Sequence, residues 1–200
     1  MAIKFQYNKT SLQDLNKQLK VRVRALPTIK NKESALRIEV KKAKDDAARL
    51  SEKLEGLIAR YEDMVRLWPE FDPSIISVDD VKMSVKKIAG VKTFVLEEVV
   101  FSIADYSLFN QPAWFPGGID ILKQLAQVAI ERDFYIEKMN LLDHARKKTT
   151  QKVNLYEKVQ IPGYEDAILK IKRFMEDEEN LSKSSQKIVK SRQQVKEAAL

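Results

Sequence analysis

The fold is decided by a run in the first third of the chain, LRIEVKKAKDDAARLSEKLEGL (residues 36–57). Its apolar residues recur at alternating steps of three and four, and the same spacing extends unbroken to residues 12 and 68. A spacing that averages 3.5 residues keeps one apolar seam facing a partner helix, so a stripe this long predicts a coiled coil. The stripe comprises Leu12, Leu15, Leu19, Arg22, Leu26, Ile29, Glu33, Leu36, Val40, Ala43, Ala47, Leu50, Leu54, Leu57, Tyr61, Met64 and Trp68.

Both ends of this first helix carry sequence signals. Thr10 and Gln13 match a capping box, so the helix is predicted to begin near residue 11. Pro69 predicts its end at Trp68, because the residue before a proline avoids the helical conformation. Inside the helix, Pro27 removes one hydrogen bond, but the stripe keeps its phase there, so we expect a kink and not a break.

The middle of the chain, residues 69–118, follows a different period. Apolar and polar residues alternate around 80–88 and 92–103, and Ala89-Gly90 separates the two runs. Alternation with β-branched residues on both sides of a glycine predicts a β-hairpin.

An irregular aromatic link follows the hairpin. Its Trp114 and Phe115 either contact a partner protein or cap the end of the coiled coil by packing on Trp68. The second interpretation is slightly favoured.

The last third of the chain, residues 119–200, predicts a second long helix with a poorer seam. The first segment, residues 1–68, is expected to pack against it, which gives a mainly α fold: a long antiparallel two-helix coiled coil with an inserted β-hairpin. Beyond Pro162 the predicted seam comprises Ala167, Ile171, Phe174, Glu178, Leu181, Ser185, Ile188, Arg192, Val195 and Ala199.

Composition limits the classes of function. The 200 residues include 32% charged residues, no cysteine and a formal net charge of +7. No apolar run is long enough to span a membrane and no signal peptide is recognisable, so we expect a cytoplasmic protein without direct membrane insertion. The basic charge permits nucleic acid, a membrane face or an acidic protein as partner, although a solvated coiled-coil surface explains most of it.

Residues typical of an active site are missing from the sequence patterns. His144 is the only histidine, and the acidic run 176–179 places neighbouring carboxylates on different helix faces. We therefore predict no catalytic residue, no metal site and no cofactor. A basic coiled-coil scaffold or a nucleic-acid-binding arm remains the alternative function, although exposed aromatics do not accompany the basic runs.

Three stretches resemble the D subunit of the V-type/A-type rotary ATPases, the central-stalk rotor. They are residues 30–36 (KNKESAL), 87–97 (KIAGVKTFVLE) and 149–162 (TTQKVNLYEKVQIP), of which the last is the most specific. The chain departs from the family where Phe94 replaces a frequent proline, and where Pro27 falls in a helix that the family usually runs uninterrupted.

The resemblance implies a non-catalytic shaft that transmits torque between a catalytic hexamer and a membrane ion-translocating ring. The partners it implies are the A and B subunits of the hexamer, the F subunit beside the insert, and a C-type adaptor on the membrane ring. Nucleic acid is not among them, and the protein is expected at the membrane only as a peripheral part of the complex.

On this interpretation, exposed basic residues at the paired ends of the helices face acidic loops of the hexamer. The residues proposed for that contact are Lys17, Lys20, Arg24, Lys183, Lys187 and Lys190. Partner contacts in the insert are expected at Val91, Phe94 and Trp114.

Overall fold

The fold is that of a computed structural model, which describes residues 3–107, 109 and 111–197. Two long helical regions flank a β-hairpin, which confirms the predicted mainly α class with an inserted hairpin. In chain order the elements are α1 (Lys9–Arg60), β1 (Ile76–Ile88), β2 (Val91–Ile103), α2 (Phe115–Asn154), a π-helical turn (Leu155–Gln160) and α3 (Ile161–Glu197).

The start of α1 differs slightly from the prediction. The helix begins at Lys9, and the Asn8 side-chain oxygen accepts a hydrogen bond of 2.7 Å from the backbone N–H of Ser11. Asn8 is therefore the cap, whereas the sequence pattern favours a capping box at Thr10. Asn8 satisfies a free N–H group of the first turn as well as Thr10 would, so the first of two possible caps is used. The helix continues through Pro27, as expected.

The end of α1 lies eight residues earlier than predicted. The helix stops at Arg60, and short 3-10 turns at Glu62–Met64, Trp68–Glu70 and Pro73–Ile75 lead to β1. These tighter turns advance about 120° per residue, not 100°. Trp68 and Phe71, which lie in and next to these turns, join one aromatic cluster with the start of α2.

Burial along α1 nonetheless follows the apolar stripe over its whole length. Every stripe position from Leu12 to Trp68 is buried or half-buried, including those in the 3-10 turns. Leu36 is fully buried and Leu50 is 7% exposed, whereas Val40, Leu54 and Leu57 are half-buried.

The chain forms two compact units. Unit 1 comprises Met1–Asn31 with Thr149–Leu200, and unit 2 comprises Lys32–Lys148. Within unit 1, α1 and α3 run antiparallel, because Gln18 contacts Tyr164 and Arg22 contacts Gln160. The antiparallel pairing predicted for the two flanking helices is therefore present in this unit.

Unit 2 contains the predicted hairpin. Its first strand, β1, begins at Ile76, a few residues before the predicted start. The strands pair antiparallel from Ile76 opposite Ile103 to Ile88 opposite Val91. The turn consists of Ala89 with φ 48° and Gly90 with φ 78°. Two consecutive residues with positive φ form a type I′ turn, whose twist matches that of the strands. Thr93 is buried, and its hydroxyl donates to the Lys86 carbonyl across the pair at 3.0 Å.

An aromatic cluster lies where α2 begins. The rings of Trp68 and Trp114 stand edge-on at 5.7 Å, and Phe71 lies 5.0 Å from the fully buried Phe115. Gly118 lies beneath the Trp114 ring, where an added Cβ would come within 2.7 Å of the ring carbon Cζ3. Because the ring is held by its neighbours, this close approach requires glycine.

We expect Gly118→Ala to lower the free energy of unfolding of unit 2 by about 1–3 kcal/mol, since the new methyl overpacks the cluster. Urea unfolding followed by tryptophan fluorescence measures this directly, because both tryptophans of the chain lie in the cluster. Gly117→Ala is the matched control: no atom lies within 4 Å of its Cβ position. It should leave stability unchanged or raise it by up to about 1 kcal/mol. Equal effects of the two substitutions would contradict the packing described.

Candidate partner-binding surfaces

The core of unit 1 ends well before α3 does. Its buried residues are Leu15, Tyr164, Ala167, Ile168 and Ile171, and Met175 packs at their edge. The segment before α1 adds its own apolar side chains, Ile3 and Phe5, to this core. The Tyr7 ring reaches α3 at Phe174, with ring centroids 4.8 Å apart.

Beyond Met175, α3 is a single bare helix. All side chains from residue 176 to residue 195 are exposed, and several of them are large and apolar. The exposed fractions are Leu181 70%, Ile188 53%, Val189 54% and Val195 70%, with Phe174 at 45% just before them. Apolar side chains on an uncovered helix mark a surface that a partner can bury.

This exposure corrects the predicted seam in α3. Ile171 is fully buried, but Phe174, Leu181 and Ile188, predicted as seam residues, are exposed. For Leu181 and Ile188 the physical reason is length: α1 begins at Lys9, level with the residues around Met175, so no helical turn of α1 remains to cover later positions. Phe174 is covered only in part, by the Tyr7 ring. The final seam position, Ala199, lies outside the described residues.

The predicted basic contact residues fall into two separate groups. Lys17, Lys20 and Arg24 are exposed on α1, level with Gln160 of the π-helical turn and Tyr164 of α3. The second group is exposed on bare α3 and begins at Lys183, roughly 28 Å further along the helix from Tyr164. The structure therefore does not bring the six residues together in one patch.

Within the second group, Lys183 is already paired. Its Nζ lies 2.7 Å from the Glu179 carboxylate, and the hydrogen bond from Lys183 lowers the pKa of Glu179. Lys187 and Lys190 are also exposed on this helix. A pair as exposed as Lys183–Glu179 contributes little to stability, so Lys183 can be redirected to a partner's carboxylate at small cost.

A line of polar contacts crosses from α1 to the π-helical turn and the start of α3 in unit 1. The Arg22 Nε donates to the Gln160 side chain at 2.7 Å, and its guanidinium lies 4.5 Å from the Tyr164 ring centroid. Further along, Lys30 pairs with Glu157 at 2.7 Å. Arg22, a charged residue in an apolar stripe, is thus satisfied across the helix pair, and such a polar seam residue fixes register at some cost in stability.

The hairpin presents a half-exposed tip. Val91 is half-buried and Phe94 is 48% exposed opposite Val85, which is 62% exposed. Next to them, Lys87 and Lys92 are direct cross-strand partners. Like charges opposite each other destabilise a hairpin slightly, and an anionic partner would relieve that repulsion.

The environment of Trp114 differs from that of Phe94. It is half-buried among Trp68, Phe71 and Phe115. Its indole Nε1–H is buried and has no hydrogen-bond partner among the residues that the structure describes. Of the two interpretations of this residue, the structure matches packing on Trp68. The partner contact expected at Trp114 stays a prediction.

Groupings typical of a metal site or a membrane span are not found in the described residues. Over 3–107, 109 and 111–197, no three His, Asp or Glu residues are placed to hold a metal ion. The described helices also include none that is both long and apolar enough to cross a membrane. His144 is exposed on α2.

Sequence reasoning missed the feature that most distinguishes unit 1, the π-helical turn Leu155–Gln160. In this turn the Ile161 N–H bonds to the Tyr156 carbonyl, five residues back. The available signal was Pro162-Gly163. A proline has no N–H to donate to the carbonyl four residues earlier, and helices often adjust to that missing hydrogen bond with a π turn.

Comparison with known proteins gives one consistent result. The sequence profile of the ATP synthase D-subunit family matches residues 11–191. The chain is similar to the V-type ATP synthase D subunit of Borreliella burgdorferi, with 29% identity over 190 residues that cover 94% of each chain. It is also similar to the V-type ATP synthase D subunit of Chlamydia muridarum, with 28% identity over 203 residues, 98% of this chain and all of that one.

The two isoleucines of α3 test where the core of unit 1 ends. Ile171→Ala should lower the free energy of unfolding by about 2–4 kcal/mol, because it leaves a cavity in a fully buried site. Ile188→Ala makes the same chemical change on the same helix, where the side chain is 53% exposed, and should change stability by less than about 0.5 kcal/mol. Circular dichroism during urea unfolding measures both. A cost at Ile188 similar to that at Ile171 would show that α3 is covered there.

Proposed function

The chain belongs to the ATP synthase D-subunit family, and from that membership we propose that it is the central shaft of a V-type/A-type rotary ATPase. In this proposal the chain carries no catalytic residue and binds no cofactor. It transmits torque between the catalytic hexamer of A and B subunits and an ion-translocating ring in the membrane. The protein is accordingly assigned to the cytoplasmic side, peripheral to the membrane.

The observation that carries the proposal is the construction of unit 1. Two antiparallel helices pack through a continuous seam, and one of them, α3, continues alone beyond the other from residue 176 onward. A pair of helices resists twisting better than one helix, which suits a torque-bearing part. A single helix is narrower than the pair, which suits a tip that turns inside a ring of subunits.

The surface of the bare helix is suited to contacts that form and break. Leu181, Ile188 and Val195 supply scattered apolar area, and Lys187 and Lys190 supply charge without a large contiguous apolar patch. Weak, replaceable contacts of this kind let a shaft turn against its sleeve without locking in one position. We propose that the hexamer presents acidic loops to these lysines, to Lys183, and to Lys17, Lys20 and Arg24 on α1.

The remaining partners are assigned from the family. The F subunit is proposed to bind beside the insert, where Val91 and Phe94 offer apolar area next to the Lys87–Lys92 pair. A C-type adaptor on the membrane ring is proposed as the further neighbour of the shaft. Trp114, which is half-buried in the aromatic cluster, is proposed as a further contact of the insert.

Reconstitution tests the proposed function. Adding the chain to a purified A–B hexamer should give unidirectional rotation of a probe attached to the chain, with ATP turnover that depends on rotation. Binding and turnover are measured in the same preparation, with and without the chain. A hexamer that binds the chain but never rotates it, or that ignores the chain altogether, would contradict the shaft assignment.

Charge reversal tests the proposed electrostatic contacts. Replacing Lys183, Lys187 and Lys190 with Glu should weaken hexamer binding and flatten its dependence on salt, because ionic attraction is screened as salt rises. The triple reversal of Lys17, Lys20 and Arg24 should also weaken hexamer binding and flatten its salt dependence. The effects of the two triple variants should be independent, since the two groups are far apart in unit 1. Binding is measured by titration at several salt concentrations.

The matched control reverses three exposed lysines of unit 2, Lys41, Lys44 and Lys53. It changes the net charge of the chain by the same amount but leaves both proposed contact groups intact. If the control weakens binding as much as the α3 triple variant, overall charge and not local contact governs assembly. Unchanged affinity and salt slope in both contact variants would remove the proposal for these residues.

A further inference from the structure

A proline in α1 and the π-helical turn face each other in unit 1. On α1, Pro27 lies between Arg22 and Lys30. Those two residues contact Gln160 and Glu157, which both belong to the π-helical turn Leu155–Gln160. Because the contacts on either side of Pro27 reach the same six-residue turn, the proline of one helix lies level with the π turn of the other.

The backbone is weaker in both helices at this level. Proline has no N–H, so Pro27 cannot bond the Val23 carbonyl and Pro162 cannot bond the Lys158 carbonyl. In the π turn the Ile161 N–H bonds the Tyr156 carbonyl instead. Elsewhere in the pair, a defect in one helix would be supported by regular backbone in its neighbour. Here each helix lacks one backbone hydrogen bond at the same level, so we expect resistance to local twisting to be lowest there.

Two side-chain contacts between α1 and the π turn compensate for that weakness. The stronger one is centred on Arg22, which is half-buried, donates to Gln160 and stacks on Tyr164, whose hydroxyl donates to Gln18 at 2.7 Å. The other contact, Lys30–Glu157, has both side chains nearly half exposed and contributes little. The Arg22–Gln160 contact and the weaker Lys30–Glu157 pair keep α1 and the π turn together here. Two contacts of this kind are few enough to break and re-form.

We propose that Pro27 and residues 155–162 together form a torsional joint, with the Arg22–Gln160 contact as its latch. The joint concentrates reversible twist in one short stretch of the helix pair, while the apolar core around Ile171 stays intact. Its use for storing twist under load rests on the proposed shaft function. The joint itself is a property of unit 1 and can be measured on the chain alone.

Hydrogen exchange on the full chain tests the joint, with the Ile161 amide as the reporter. Gln160→Met keeps the side-chain volume but removes the acceptor of Arg22. It should speed exchange of the Ile161 amide about fivefold, the opening factor that one ordinary hydrogen bond provides. Glu157→Gln removes only the weaker ion pair and should speed exchange about twofold or less. Pro162→Ala restores a backbone donor and should slow exchange at residues 156–161.

The control is Glu179→Gln, which breaks the Lys183–Glu179 pair of the same length within α3. It should leave the Ile161 amide unchanged, because that pair does not cross to α1. Unchanged Ile161 exchange in Gln160→Met would overturn the latch. Equal acceleration throughout unit 1 would overturn it as well, since Gln160 would then support only global stability. A Pro162→Ala chain that exchanges no more slowly would overturn the role of the backbone.

A second readout connects the joint with rotation. In the reconstituted complex, Gln160→Met should broaden the angular fluctuations of a probe on the chain at each pause, whereas Glu179→Gln should not. Equal fluctuations in the two variants would overturn the mechanical role of the joint. If the unmodified chain does not rotate in the hexamer, the shaft assignment fails, but the exchange result still decides whether the joint exists.

Discussion

The apolar stripe of α1 can stay out of water only where another element lies against it, and this single requirement organises the chain. Burying a side chain of the size of leucine contributes about 1.5–3 kcal/mol, so a stripe of this length dominates the energetics of the helix. Every position from Leu12 to Trp68 is buried or half-buried, and α3 packs on its first part in unit 1.

The same requirement explains the contrast along α3. Up to Met175 the helix has a partner, and its inward residues, such as Ile171, are fully buried. After Met175 the partner ends, and residues of the same apolar type at the same spacing are exposed. The apolar spacing of α3 thus continues in the sequence beyond Met175, although the side chains there are no longer buried. Exposed Leu181 and Ile188 offer apolar area that a partner protein can cover.

Much of this architecture could be predicted from the sequence, because periodicity and turn chemistry are local signals. The stripe, the hairpin around Ala89-Gly90 and the continuity of α1 through Pro27 all follow from spacing and residue type. The extent of burial in α3 could not be predicted, since the spacing of Leu181 and Ile188 carries no information on where α1 begins. The packing of Trp68 on Trp114 joins residues that are distant in sequence, which local patterns cannot show. The π turn carries a signal at Pro162, but a proline alone does not distinguish a π turn from a kink.

Arg22 shows how one polar residue in an apolar stripe can serve specificity and mechanics at once. Leucine at this position would bury more apolar area and give a more stable helix pair, but it would pack against α3 in more than one register. Arg22 instead needs the Gln160 acceptor and the Tyr164 ring, and only one alignment of α1 with α3 supplies both. That alignment places Pro27 level with the π turn. The residue that fixes register therefore also determines where the backbone of both helices is weakest, and it provides the contact that holds this level closed.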